Sequence, residues 1–170
     1  MRASSRSSRE LVDEITRHFP TDHPAHDLIA LARFDLDAIA ARIVGAWERY
    51  IERLHHVGLA IAVATDRGHP LPKDALDRLV AHTEPRGMRW IEAEARRARA
   101  LGASDADELL RAVALFEDTG ARPRLSRARA ELGQLSGDEG LTSRGLHDLE
   151  ALGDAEALSR LAARRAGHER

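Results

Sequence analysis

A chain of 170 residues is long enough for one domain with its own core, and 43% of it is apolar although only 4% is aromatic. Its formal net charge of −2, from 26 basic and 28 acidic residues, gives no whole-molecule attraction to nucleic acid or anionic lipid. The absence of cysteine excludes a disulfide framework, a thiolate metal site and a cysteine nucleophile.

With so few aromatic residues, alanine and leucine must supply most of the buried surface, which favours close helix packing. No run of β-branched or aromatic residues alternates with polar ones, so the expected fold class is all-α. Lys73 is the single lysine, and the arginine bias is that of a GC-rich bacterial coding sequence. The start, Met1 to Arg9, is polar with no apolar stretch behind it. No apolar run approaches the roughly 18 residues of a membrane span, so neither a signal peptide nor a membrane partner is expected, and the expected location is the cytoplasm.

In chain order, residues 1–8 read as a disordered N-terminus and 9–170 as one helical domain. Within it, about 9–67 form a long-helix portion and 72–166 a set of helical hairpins. Leu11, Val12, Ile15 and Phe19 mark a short amphipathic helix stopped by Pro20, and a new helix begins near Pro24. From Leu36 through Ala40, Ile43, Trp47, Tyr50, Leu54 and Val57 to Ile61, apolar residues alternate spacings of four and three. That stripe predicts one helix from about Leu36 to Ala64, or two meeting near Gly58. The single helix is favoured, because one interior glycine costs only about 1 kcal/mol.

The segment Asp66 to Pro72 is the clearest breaker. After it come a helix from Lys73 to about Thr83, a turn at Glu84–Gly87, and helices at about 88–102, 105–119, 123–135, 140–152 and 154–166. Asp105 and Glu108 have capping-box spacing, and Gly102, Gly120 and Gly153 stand where helix ends are wanted. Short connections force consecutive helices to lie antiparallel, giving an array of hairpins with one long helix in the N-terminal half.

No Gly-x-x-x-x-Gly-Lys-Ser/Thr, Gly-x-Gly-x-x-Gly or Gly-x-Ser-x-Gly occurs, so no catalytic residue and no cofactor is expected. His18, Asp22, His23 and His26 lie close enough to be metal-ligand candidates, but a solvated turn capped by Asp22 or Thr21 is the favoured reading and no metal is expected. Arg96, Arg97 and Arg99, with Arg122, Arg124 and Arg127, are candidates for a partner-binding patch. Their alternative is a solvated face balanced by Glu92, Glu94, Asp105, Asp107, Glu108 and Glu131. Trp47 and Trp90 read as core anchors. The stripe residues Trp47, Tyr50, Leu54 and Val57 could join two copies in a homo-oligomer, or face neighbouring helices within one chain.

Several residues carry a resemblance: Leu109 to Glu117, Gly120-Ala121-Arg122-Pro123, Ala128 to Gly133, and Leu152-Gly153-Asp154. The segment from about Trp90 to Arg160 resembles the tetratricopeptide-like repeats at the C-terminal end of bacterial signalling ATPases, among them LuxR-type regulators and cyclase-like proteins. Ala112, Phe116 and Pro123 approach the spacing of the second half of such a repeat, with the proline one residue early. The first half is not matched, and no clean 34-residue period is visible. The resemblance implies a helical scaffold for a protein or peptide partner, that is, a regulatory, non-catalytic interaction module. A self-associating structural protein built on the Leu36–Ile61 stripe and a metal- or ligand-binding bundle built on the His18–Asp27 cluster are the alternatives.

Overall fold

The computed structural model describes Trp47, Glu48 and residues 54–168, with side chains to residue 163. Among the described residues the architecture is all-helical, with no strand. The elements are α1 (Leu54–Asp66), α2 (Lys73–Thr83), a 3-10 turn (Glu84–Arg86), α3 (Arg89–Ala103), α4 (Ala106–Thr119), α5 (Arg122–Ser136), α6 (Glu139–Ala151) and α7 (Ala155–His168). Adjacent helices pack, most closely α3 on α4 and α5 on α6. From α3 onward, each helix starts and ends within two residues of its expected position.

The helix starts are evenly spaced. Lys73, Ala106 and Glu139 open α2, α4 and α6, and Arg89, Arg122 and Ala155 open α3, α5 and α7, each 33 residues after the one before. Turn chemistry sets this spacing. The carboxylates of Asp105, Asp138 and Asp154 accept N–H bonds from Glu108, Leu141 and Ala157 at 3.0, 2.9 and 3.1 Å. Each satisfies a donor that the first helical turn leaves unpaired, an effect of about 1 kcal/mol. The capping box at Asp105 is only half made, because the Glu108 carboxylate is engaged by arginines instead.

Helix α3 ends later than expected. Gly102 stays inside the helix, and the left-handed residue that reverses the chain is Ser104, at φ 55°. The Ala100 carbonyl receives the N–H groups of both Ser104 and Asp105, which fixes the reversal there. A side chain in this conformation is disfavoured relative to glycine. Ser104→Gly is therefore expected to stabilise the domain by roughly 1 kcal/mol, read as a rise of about 2–4 °C in Tm.

Among the described residues three apolar patches form the core. Trp47, Leu54, Val57 and Ile61 meet Leu76, Leu79, Val80 and Ile91 in the first, and Leu109, Val113, Phe116, Leu125 and Leu132 fill the second. The third is small: Ala130, Leu149, Ala157 and Leu161. The Trp90 ring belongs to the margins of both larger patches. A Cβ on Gly58 would lie 2.6 Å from that ring, so this glycine seats the indole inside α1, and the alternative of two helices meeting near Gly58 is corrected. The uninterrupted helix from Leu36 to Ala64 is corrected too. Trp47 and Glu48 lie in a 3-10 turn, and the described α-helical ladder begins at Leu54.

Trp47, Leu54 and Val57 are 4%, 5% and 0% exposed, covered by α2 and α3 of the same chain. This part of the stripe faces neighbouring helices, the intramolecular alternative, and does not form an open seam for a second copy. Tyr50, the stripe before Trp47, the helices expected before residue 36 and the 1–8 segment lie outside the described residues.

Candidate functional site

The odd-numbered helices carry a cluster of buried charge. Arg97 of α3, 1% exposed, donates from Nε and Nη2 to the two oxygens of Glu131 on α5, both at 2.7 Å. The same guanidinium reaches Asp66 Oδ1, at the end of α1, at 2.6 Å, and Glu94 Oε2 at 3.5 Å. Such a planar fork is suited to two-point carboxylate binding. Arg124 lies 3.3 Å from Glu94 Oε1 and 3.4 Å from Asp66 Oδ2. Arg127 contacts Asp66 Oδ2 and holds Asp154 Oδ2 at 2.5 Å, while Arg160 of α7 approaches Asp66 at 3.7 Å. Arg97, Arg124, Arg127 and Arg160 thus interleave with Asp66, Glu94, Glu131 and Asp154.

Burial and pairing act oppositely on Asp66, Asp154 and Glu94. Burial raises the Asp66 pKa, but Arg97, Arg127 and Arg124 more than offset it and hold the carboxyl below its ordinary value. Asp154 is likewise held low, with burial outweighed by the bonds from Arg127 and the Ala157 N–H. Glu94 is the exception. Complete burial raises its pKa more than Arg97 and Arg124 lower it, and Asp66 and Glu131 push it further up.

The pH dependence follows from these signs. A carboxyl raised in the fold binds its proton more readily there than in the unfolded chain, so stability is gained as pH falls through the raised Glu94 value toward the ordinary 4.5. Carboxyls held low act in reverse, and their contribution is lost as pH falls below 3.8 through the lowered Asp66 and Asp154 values. Urea midpoints measured against pH should pass through a maximum in mild acid. Glu94→Gln should flatten the neutral-side limb and leave the acid-side fall.

A second network joins α3 to its other neighbours. Arg96 binds Glu92 and Glu108 at 2.7 and 3.0 Å, and Arg99 binds Asp77 at 2.9 Å and also contacts Glu108. Of the six candidate partner-binding arginines, Arg96 and Arg97 are therefore buried in ion pairs, and Arg99, Arg124 and Arg127 are partly covered and paired. Arg122 alone of the six is exposed. The solvated-face alternative is corrected as well: Glu92, Glu94, Glu108 and Glu131 do balance the arginines, but in the interior, because these positions turn toward neighbouring helices.

Beside the cluster opens a cleft of about 720 Å³, bounded by the α1–α2 connection and the C-terminal halves of α3 and α5. Leu71, Leu76, Leu101 and Leu135 supply apolar lining, while Glu131 and Gln134 lie along α5. Glu131 belongs to both features, as a cleft residue and as the partner of Arg97.

His18, Asp22, His23 and His26 lie outside the described residues. Among the described residues no three His, Asp or Glu side chains are grouped to hold a metal, and no helix is long and apolar enough to cross a membrane. Sequence reasoning missed Asp66, Asp154 and Arg160 as charge partners. The available signal was positional: Glu94, Arg127 and Arg160 recur at the 33-residue interval of the helix starts, in line with the buried Ile61. No protein-family model, curated protein or solved structure matches the chain.

Proposed function

We propose that the chain is a non-catalytic interaction module, a tetratricopeptide-like scaffold that holds a segment of a protein or peptide partner in a regulatory setting. The observation that carries this reading is the cleft between successive hairpins. Its volume falls within the ~300–1,000 Å³ typical of ligand sites, and its leucine lining with a few polar groups fits the apolar side chains of an extended or helical segment. The even spacing of the helix starts supports the repeat reading, since helical-hairpin repeats run to about 33–34 residues. Candidate binding residues on this reading are Leu71, Leu101 and Leu135, which line the cleft, whereas Arg122 lies outside it. The proposed location is the cytoplasm.

A displayed library of random twelve-residue peptides provides the test. Enrichment on the purified chain should be lost with Leu101→Glu, at the cleft, and retained with Arg122→Ala, away from it. Absence of enrichment, or enrichment indifferent to Leu101→Glu in a folded variant, overturns the reading.

A further inference from the structure

The buried pairs form a continuous chain from the cleft to the start of the last helix. Glu131, at the cleft, receives two bonds from Arg97, and Arg97 also holds Asp66 Oδ1. The other oxygen of Asp66 meets Arg127, which closes on Asp154 Oδ2 through Nε at 3.2 Å and Nη2 at 2.5 Å. Asp154 Oδ1 accepts the Ala157 N–H at 3.1 Å. One carboxylate therefore ends the ionic chain and caps α7.

A shorter connection runs beside it. Gln134, one turn after Glu131 and also at the cleft, donates from Nε2 to the Leu161 carbonyl of α7 at 3.2 Å. The apolar support of α7 is slight by comparison. Among the described side chains, Ala157 and Leu161 of α7 are buried with Ala130 and Leu149 in the smallest of the three patches, with Leu146 and Leu158 half-buried against it. Against a patch of this size, the polar links of Asp154 and Gln134 carry a substantial share of the described contacts of α7.

We infer that the docking of α7 is coupled to the cleft through this chain, so that loosening Arg97 from Glu131 loosens α7. The inference deepens the cleft reading and rests on it for its regulatory meaning: an occupant that competes for Glu131 releases the last helix. The coupling itself requires no occupant. By reciprocity, loosening α7 at Asp154 also loosens the cleft end of α5.

Amide hydrogen exchange on the full chain tests this with Glu131→Gln, Asp154→Asn and the double variant. Asparagine caps a helix about as well as aspartate, so Asp154→Asn weakens the Arg127 pair while keeping the helix start. Each single variant should speed exchange in 155–163 by about tenfold or more and leave 106–119 unchanged. The double variant should fall well short of the product of the two, since a chain cut at one end has less to lose at the other. Multiplicative effects, equal acceleration in 106–119, or unchanged α7 rates overturn the coupling. Should Glu131→Gln fail to fold, Asp154→Asn alone decides: faster exchange in 131–136 supports the inference, and unchanged rates there refute it. Because no peptide is present, failure of library enrichment and failure of the coupling are separate results.

Discussion

Arg97→Ala is expected to destabilise the domain by about 3–5 kcal/mol, the range for removing one partner from a buried ion pair. The guanidinium is the shared partner of Glu131, Asp66 and Glu94, and its loss leaves three covered carboxylates to repel one another. A domain is typically stable by only about 5–15 kcal/mol, so a large part of that margin is lost. Urea denaturation of Arg97→Ala should show a large fall in midpoint. Arg122→Ala, exposed on α5, should move it by less than about 0.5 kcal/mol. A midpoint for Arg97→Ala within 1 kcal/mol of the parent, on the order of the ~0–1 kcal/mol of a surface pair, would mean that the cluster is hydrated in solution. The pH maximum expected from Glu94 would then vanish too, because both depend on exclusion of water.

The contrast between these two arginines also shows what could be read from the chain alone. Helix positions from Lys73 onward were legible because several ends are written in local chemistry: Asp105 as a cap, Pro70 and Pro72 as breakers, Gly120 and Gly153 as reversals. The buried state of Arg97 was not. A run such as Arg96-Arg97-Ala98-Arg99 places charges around half a helical turn, and which of them meets solvent depends on where the neighbouring helices lie. The interleaved acids supplied a hint, since Glu92 and Glu94 precede Arg96 and Arg97 by four and three residues, spacings at which helical side chains meet. The decisive partners, Asp66 and Glu131, lie 31 and 34 residues away. The cleft was hidden for a related reason. Leu76, Leu101 and Leu135 continue the apolar stripes of α2, α3 and α5, and no one-dimensional pattern separates a leucine that fills the core from one that lines a gap between hairpins.

Gly58 lies inside a helix, as the favoured reading expects, and its comparison with Gly145 leads to a prediction that local propensity alone would reverse. Alanine is about 1 kcal/mol better than glycine inside a helix, so Gly→Ala at Gly58 in α1 and Gly145 in α6 should each stabilise if propensity alone decided. The surroundings differ. At Gly58 the obstacle is the outer edge of the Trp90 ring, 2.6 Å from the added carbon, on a side chain that is only half-buried and can shift. At Gly145 the obstacles are backbone: the Ala130 nitrogen at 2.6 Å and the Ser126 carbonyl oxygen at 2.7 Å, both on α5. Twelve residues earlier, a Cβ added to Gly133 would strike the Thr142 backbone nitrogen in the same way, so α5 and α6 cross through two small-residue contacts. A methyl group at Gly145 must push the helices apart, against the closely packed pair that also carries Ala130 and Leu149. Overpacking of this kind costs about 1–3 kcal/mol and exceeds the propensity gain when backbone must move. Gly145→Ala should therefore lower the urea midpoint by the equivalent of about 2 kcal/mol, while Gly58→Ala stays within about 1 kcal/mol of the parent. Because Ala130 faces both Gly145 and the patch beneath α7, Gly145→Ala should also speed amide exchange in α7 ahead of α4. Equal stability of the two variants would show that the α5–α6 crossing is looser than these distances require.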